Sequence, residues 1–176
     1  MELTLHNGSL ERNITLARGM GWGLVGGLAG TLVMDAILMA GLSAAGLSAL
    51  ICFSIVGNTV AQFFSILSIE VAGGVQLGIA THYLIGPLIG AIFGVLVTQV
   101  KALRVDTLKK SILFAVLYVE ILAQPILATT PILLKMTAAE TLQWFGFSFI
   151  MHFLMAVVLG AVVSYGLRLA VTAEHK

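Results

Sequence analysis

The sequence predicts an all-α fold: a polytopic membrane four-helix bundle carrying an extra amphipathic outer-side helix. Three observations lead there. Of 176 residues, 59% are hydrophobic and only 10% charged, where a soluble domain carries roughly 25% charged residues. A chain so poor in charge cannot cover itself in water, so lipid must solvate most of it. Four long apolar runs lie at about 20–42, 77–100, 112–134 and 144–167. Each reaches the ~20 residues that cross ~30 Å of hydrocarbon at 1.5 Å per residue. Finally, none of the runs alternates apolar and polar residues as a barrel strand would, and a spanning segment must satisfy its own backbone, so they are helices. The whole chain, 1–176, reads as a single transmembrane domain.

The first run follows Arg12 and Arg18 and precedes "LSAAG". Those flanks suit a cleaved signal peptide, but the run is long for one and contains Asp35. It is therefore read as a span. Its glycines recur every fourth residue, Gly19, Gly23 and Gly27, with Gly26 and Gly30 beside them. Small residues at that spacing let membrane helices approach closely, where no hydrophobic force acts between them.

Residues 47–68 are apolar but striped. Ser54, Asn58, Gln62, Ser65 and Ser68 fall three or four apart, on one helical face. Such a helix lies at the interface, re-enters the bilayer, or spans with its stripe buried. Positive charge decides between these. Arg12 and Arg18, the group Lys101, Arg104, Lys109 and Lys110, and Arg168 with Lys176 all fall on one side if there are four spans. Five spans would split them. The positive-inside rule then places both termini in the cytoplasm of a cell with this protein in its inner membrane, and residues 43–76 outside.

The second run holds a ladder of Gly78, His82, Gly86, Gly90 and Gly94. The third holds Glu120 with Gln124 one turn later, then Pro125, which loosens the backbone. The fourth holds His152, Ala156, Gly160 and Ser164. "HYLIGPLIGAIFG" aligns on "HFLMAVVLGAVVS" without gaps, pairing His82 with His152 and Gly90 with Gly160. "LVMDAILMA" against "LYVEILAQP" pairs Asp35 with Glu120. The alternatives are a two-fold pseudo-repeat of helix pairs, with its axis along the membrane normal, and chance similarity of short apolar segments.

Asp35, His82, Glu120, Gln124 and His152 are the candidate site. A carboxylate as deep as Glu120 costs at least ~2.5 kcal/mol unless neutral or paired, which makes it a functional candidate by default. Counted from the predicted span ends, His82 and His152 fall in the outer leaflet, near Asp35 and the Ser54, Asn58 and Gln62 stripe. Histidine beside a carboxylate suits a proton or cation relay. Two imidazoles flanked by small residues also suit the axial ligands of a b-type haem. The third alternative is structural: hydrogen bonds to neighbouring helices, with Gly23, Gly27, Gly86, Gly90, Gly94 and Gly160 as packing positions.

Several classes are excluded. A net charge of +1 offers no basic face for nucleic acid. No catalytic motif is present, and no candidates have zinc-ligand spacing, so neither an enzyme nor a metal site is expected. The glycine-rich first helix "GLVGGLAGTLVM", the "HYLIGPLIG" of the second and the closing "HFLMAVVLG" resemble the small four-helix inner-membrane proteins of the YagU type. The resemblance covers the spans and implies a compact four-helix fold without an established activity; Glu120 departs from its pattern. The expected protein is a non-enzymatic bundle in the lipid bilayer, a homo-oligomer or a subunit among other membrane proteins. Its polar pocket binds or relays a proton, cation or small polar solute.

Overall fold

A computed structural model describes the backbone of residues 2–174 and the side chains of residues 16–168. Within these bounds the chain is helical throughout: α1 (Glu2–Ala44), α2 (Ile51–Ile66), α3 (Val75–Gln99), α4 (Leu108–Leu127), the short α5 (Thr129–Leu133) and α6 (Ala138–Glu174). Four segments are long and apolar enough to cross a membrane: Leu16–Ala44, Val75–Gln99, Leu108–Leu133 and Ala138–Arg168. By length and composition this is a multi-pass helical membrane protein.

The buried positions explain the packing. Gly19, Gly23 and Gly27 of α1 meet Gly94, Gly90 and Gly86 of antiparallel α3, rung against rung. A Cβ on Gly23 would fall inside the carbonyl of Gly90, and one on Gly27 inside that of Gly86. A threonine closes each end of the ladder. Thr31 abuts Gly86 and Thr98 abuts Gly19. Both hydroxyls donate back one turn, to Gly27 and Gly94, at 2.9 Å, so neither hydroxyl is left bare in lipid.

α1 carries a second small face. Gly26 and Gly30 pack on Leu159 and Met155 of α6. α6 in turn uses Gly160 against Ser111 and Ile112 of α4, where the Ser111 hydroxyl donates to the Gly160 carbonyl at 2.7 Å. Four helices thus close in the order α3, α1, α6, α4. The α3–α4 seam is the thin one, held by the Tyr118 hydroxyl donating to the Ile89 carbonyl at 3.1 Å and by Tyr118 against Phe93. Among the long helices α2 packs chiefly on α3, with Gly57 at Gly74 and Gly78 at Phe53. Gly74 sits at φ 95°, the left-handed region that favours glycine, and from there α3 starts flush against α2.

The bundle is solid at one end and open at the other. Phe93 and Val97 of α3, Ala115 and Val119 of α4, and Ala156, Leu159 and Val163 of α6 form the core near the end that carries the termini. Toward the opposite end α4 weakens. Pro125 removes a backbone donor, the helix ends at Leu127, and α5 turns off to meet α2, the Thr59 and Thr130 hydroxyls lying 3.3 Å apart.

α6 begins at Ala138, well before the expected 144, because Thr137-Ala-Ala-Glu140 forms a capping box. The Glu140 carboxylate accepts from the Thr137 backbone N–H at 2.8 Å, and Thr137 Oγ1 accepts from the Glu140 N–H at 3.3 Å. Counted along the helices, His152 lies next to the middle of Ala138–Arg168, and Glu120 at the middle of Leu108–Leu133.

Two outcomes follow from this packing. Gly90→Val should lower stability by about 1–3 kcal/mol or more through overpacking, measured by reversible unfolding in detergent, while Gly146→Ala, with nothing nearby, should change little. Thr137→Ala should cost about 0.5–2 kcal/mol and speed hydrogen exchange in the first turn of α6.

Candidate functional site

His82 interrupts the glycine ladder of α3 where that ladder changes partners. One turn earlier, Gly78 packs on α2; one turn later, Gly86 packs on α1. At the changeover the two neighbours diverge, leaving room for a ring. Phe53 of α2 meets that ring edge-on, with centroids 5.1 Å apart. Asp35 of α1 lies on the other side, with its Oδ1 3.0 Å from His82 Nδ1. Asp35 is 2% exposed, and no lysine or arginine among the described residues pairs with it. A carboxylate in such a place needs its partner. Its Oδ2 is buried with no hydrogen-bond partner.

His152 of α6 is anchored differently. Its Nδ1 donates to the Ser148 carbonyl, one turn back, at 2.7 Å. A carbonyl only accepts, so the proton is on Nδ1. Both imidazoles are thus tied through Nδ1, one to a carboxylate and one to a carbonyl. Neither Nε2 is a sealed-off orphan: the buried side-chain atoms without partners are Asp35 Oδ2 and Glu120 Oε1. Both histidines line the same cavity, of about 420 Å³. Its walls come from α1, α2, α3, the end of α4, and α6, and its rim includes Leu42, Met136 and Glu140, at the end away from the packed core. Asp35 stands behind His82, outside the lining.

The lining is mostly apolar. Met34, Leu38, Ile55, Ile85, Phe147 and Met155 are typical of it, with the histidines, Thr31, Thr81, Cys52, Ser148, Glu140 and Gln143 as polar points. Trp144 also borders the cavity while its Nε1 donates to the Leu127 carbonyl at 3.1 Å. That bond ties α6 to the end of α4. In comparisons with protein-family models, curated proteins and solved structures, nothing matches this chain. The site must be read from its own geometry.

The structure brings together Asp35, His82 and His152 and separates the rest of the expected site. Ser54, Asn58 and Gln62 do not line the cavity; α2 turns Ile51, Cys52, Ile55 and Val56 to it, while Asn58 and Gln62 are exposed. The apolar face of an amphipathic helix packs against the apolar bundle, and the polar stripe is what is left outside. Glu120 and Gln124 do not line it either. Tyr118 points at α3, and Ser111, Ala115, Val119 and Ala123 are the buried row of α4. Two residues on, at about 100° per residue, Glu120 is carried to the flank away from α3. There Gln124 Nε2 donates to Glu120 Oε2 at 2.6 Å, so one oxygen of the deep acid is answered within its own helix while Oε1 is buried without a partner. The pair formed by Asp35 and His82 has no counterpart between Glu120 and His152.

Sequence reasoning missed Cys52, Trp144 and the methionines on the walls. Four of the seven methionines line the cavity. No periodic signal marks them, because Met is ordinary in an apolar helix and only three-dimensional closure gathers these four.

His82→Leu alone should destabilise the protein by about 3–5 kcal/mol, since it leaves a buried carboxylate unpaired. The double variant Asp35→Leu, His82→Leu should recover most of that loss. A thermodynamic cycle on unfolding in detergent measures both.

Proposed function

We propose that this protein is a membrane-embedded binding protein that holds a small solute in the cavity between its helices. The Asp35–His82 pair and His152 form the polar floor of that cavity and exchange a proton with whatever binds there. Both termini face the cytoplasm across the inner membrane, and the cavity opens to the other side. The observation that carries this reading is the common arrangement of the two imidazoles: each Nδ1 is anchored, and both rings line the same cavity.

Three features support it. An anchored ring has a defined tautomer and orientation, which a binding group needs. A buried acid without a second partner is costly and is retained where it acts on a neighbour. The matched placement of His82 and His152 also fits a pseudo-repeat of helix pairs, in which Gly90 packs at Gly23 and Gly27, and Gly160 packs at Ile112. Glu120 lies on the flank of α4, and with Gln124 it suits a contact with a second copy or another membrane subunit better than a step in the relay. The resemblance to YagU-type proteins agrees with this architecture and adds no activity.

A second reading, haem b between His82 and His152, draws on the same anchored nitrogens, since ligating histidines characteristically donate their other N–H to a carboxylate or carbonyl. An absorption spectrum separates the two. A Soret band that disappears in His82→Ala carries the haem reading; protein that is colourless after expression with added haem ends it.

Cys52 is the only cysteine in the chain and borders the cavity, which makes it a native reporter. In sealed vesicles an impermeant maleimide should label Cys52 from the face opposite the termini, and bulky cavity substitutions such as Thr81→Trp should slow labelling at least tenfold. Labelling only from the side of the termini, or none after reagent reaches both sides, would remove the cavity and its orientation.

A further inference from the structure

We infer that the connector between α3 and α4, with the helix ends around it, is a binding surface for the headgroups of anionic phospholipids. It lies at the end of the bundle away from the cavity rim and does not depend on what the cavity holds.

Charge gathers at this end. The described side chains include seven lysines and arginines, and six belong here: Arg18, Lys101, Arg104, Lys109, Lys110 and Arg168. Four of the six fall between 101 and 110. One described acid, Asp106, stands among them. Its carboxylate pairs with Lys110 at 3.7 Å, and its backbone carbonyl accepts from Arg168 at 3.5 Å. Those two contacts draw the start of α4 and the end of α6 onto the connector. Lys110 is held further by the Phe114 ring, 5.6 Å below it. Lys101, Arg104 and Lys109 are different: all three are exposed, and none has an acidic partner among the described residues. At the opposite end the described charges are Glu70, Lys135 and Glu140, with no such excess.

Depth decides the kind of partner. One span ends at Gln99 and the next begins at Leu108, so Lys101 and Lys109 stand within two residues of those ends. That is the headgroup layer, where membrane phosphates are already present. A nucleic acid or a soluble acidic protein would have to displace that layer first. The connector also crosses the thin α3–α4 seam, so its three unpaired cations stand over lipid.

Net charge decides the headgroup. A zwitterionic headgroup brings its own cation beside Lys101, Arg104 and Lys109, and so offers little net attraction. An anionic headgroup brings a phosphate with nothing to offset it. Clusters of four or more basic residues beside a span attract anionic lipid in this way. The tendency of positive charge to stay inside accounts for which end the cations occupy. Scattered cations would satisfy it equally, so it does not require three unpaired ones gathered over one seam.

Native mass spectrometry tests this on the full chain in an uncharged detergent. Phosphatidylglycerol and phosphatidylcholine with the same acyl chains are offered together. Phosphatidylglycerol should be retained at least about tenfold over phosphatidylcholine. Changing Lys101, Arg104, Lys109 and Lys110 together to Gln should remove most of that preference, and Lys135→Gln at the other end should leave it intact. Lys101→Gln with Arg104→Gln serves if the fourfold variant elutes as aggregate. Equal retention of the two lipids overturns the inference and leaves the cations as determinants of topology only. A preference that survives the Gln variants, or that Lys135→Gln lowers as much, places the lipid elsewhere and overturns it too. Inorganic phosphate is the remaining arm. If it displaces phosphatidylglycerol at equal concentration, the site recognises free phosphate and the lipid assignment fails; retention of the lipid supports it.

Discussion

The fold depends on backbone meeting backbone between α1 and α3. Inside a bilayer the hydrophobic effect does not draw helices together, because lipid tails are as apolar as leucine. What remains is close van der Waals contact, and it needs faces without side chains. Gly19, Gly23 and Gly27 against Gly94, Gly90 and Gly86 supply such a face on both helices, with Thr98 and Thr31 at its ends. The consequence shows in the pattern of exposure. Fully buried positions include Ala115, Ala156 and Ser111, while Leu84, Ile121 and Leu142 stand outside at 69–76% exposed. In water such a surface would be a liability; in acyl chains it is ordinary.

Once that contact is made, the site follows from where it stops. His82 occupies a rung position that neither α1 nor α2 fills with a close backbone, and Asp35 reaches the ring from one turn beyond Thr31, which closes the ladder on α1. On the far side, α6 lies against α1 through Gly26 and Gly30, which brings His152 level with the opening. The cavity is the volume left when three helices are pinned at one end and the fourth breaks at Pro125 and Leu127. Packing and chemistry are therefore not separate features. The small residues that tighten one half determine which long side chains are left to line the other.

Much of this was legible in the sequence. Length and hydropathy showed the four apolar helices, since lipid imposes a minimum length that composition reveals directly. The spacing of four identified the glycine faces, and identity at matched positions singled out His82 and His152. Three things were not legible. Where α6 begins depended on a capping box whose hydrogen bonds are local but whose four residues look like loop. Which face of α2 turns inward could not be read from polarity alone, because the expectation that polar seeks polar competes with the need to bury Ile55 and Val56 against the bundle. The fate of Glu120 turned on one residue of helical phase: beside Val119 it was adjacent to the buried row and yet on the flank, answered by Gln124 from its own helix. Cost of burial flags a residue, but it does not say from which direction relief comes.

α1 is gripped on two sides by different sets of glycines, one set on α3 and one on α6. Sliding α1 along either neighbour would drive backbone atoms through one another, and rotating it would present leucines where no space exists. It therefore acts as a fixed spine, with α3 and α6 immobilised beside it. Any breathing of the chamber falls to the opposite wall, where α2 and α5 meet through little more than the hydroxyls of Thr59 and Thr130. Together with the thin α3–α4 seam, that wall is where the chamber is least bound to the spine.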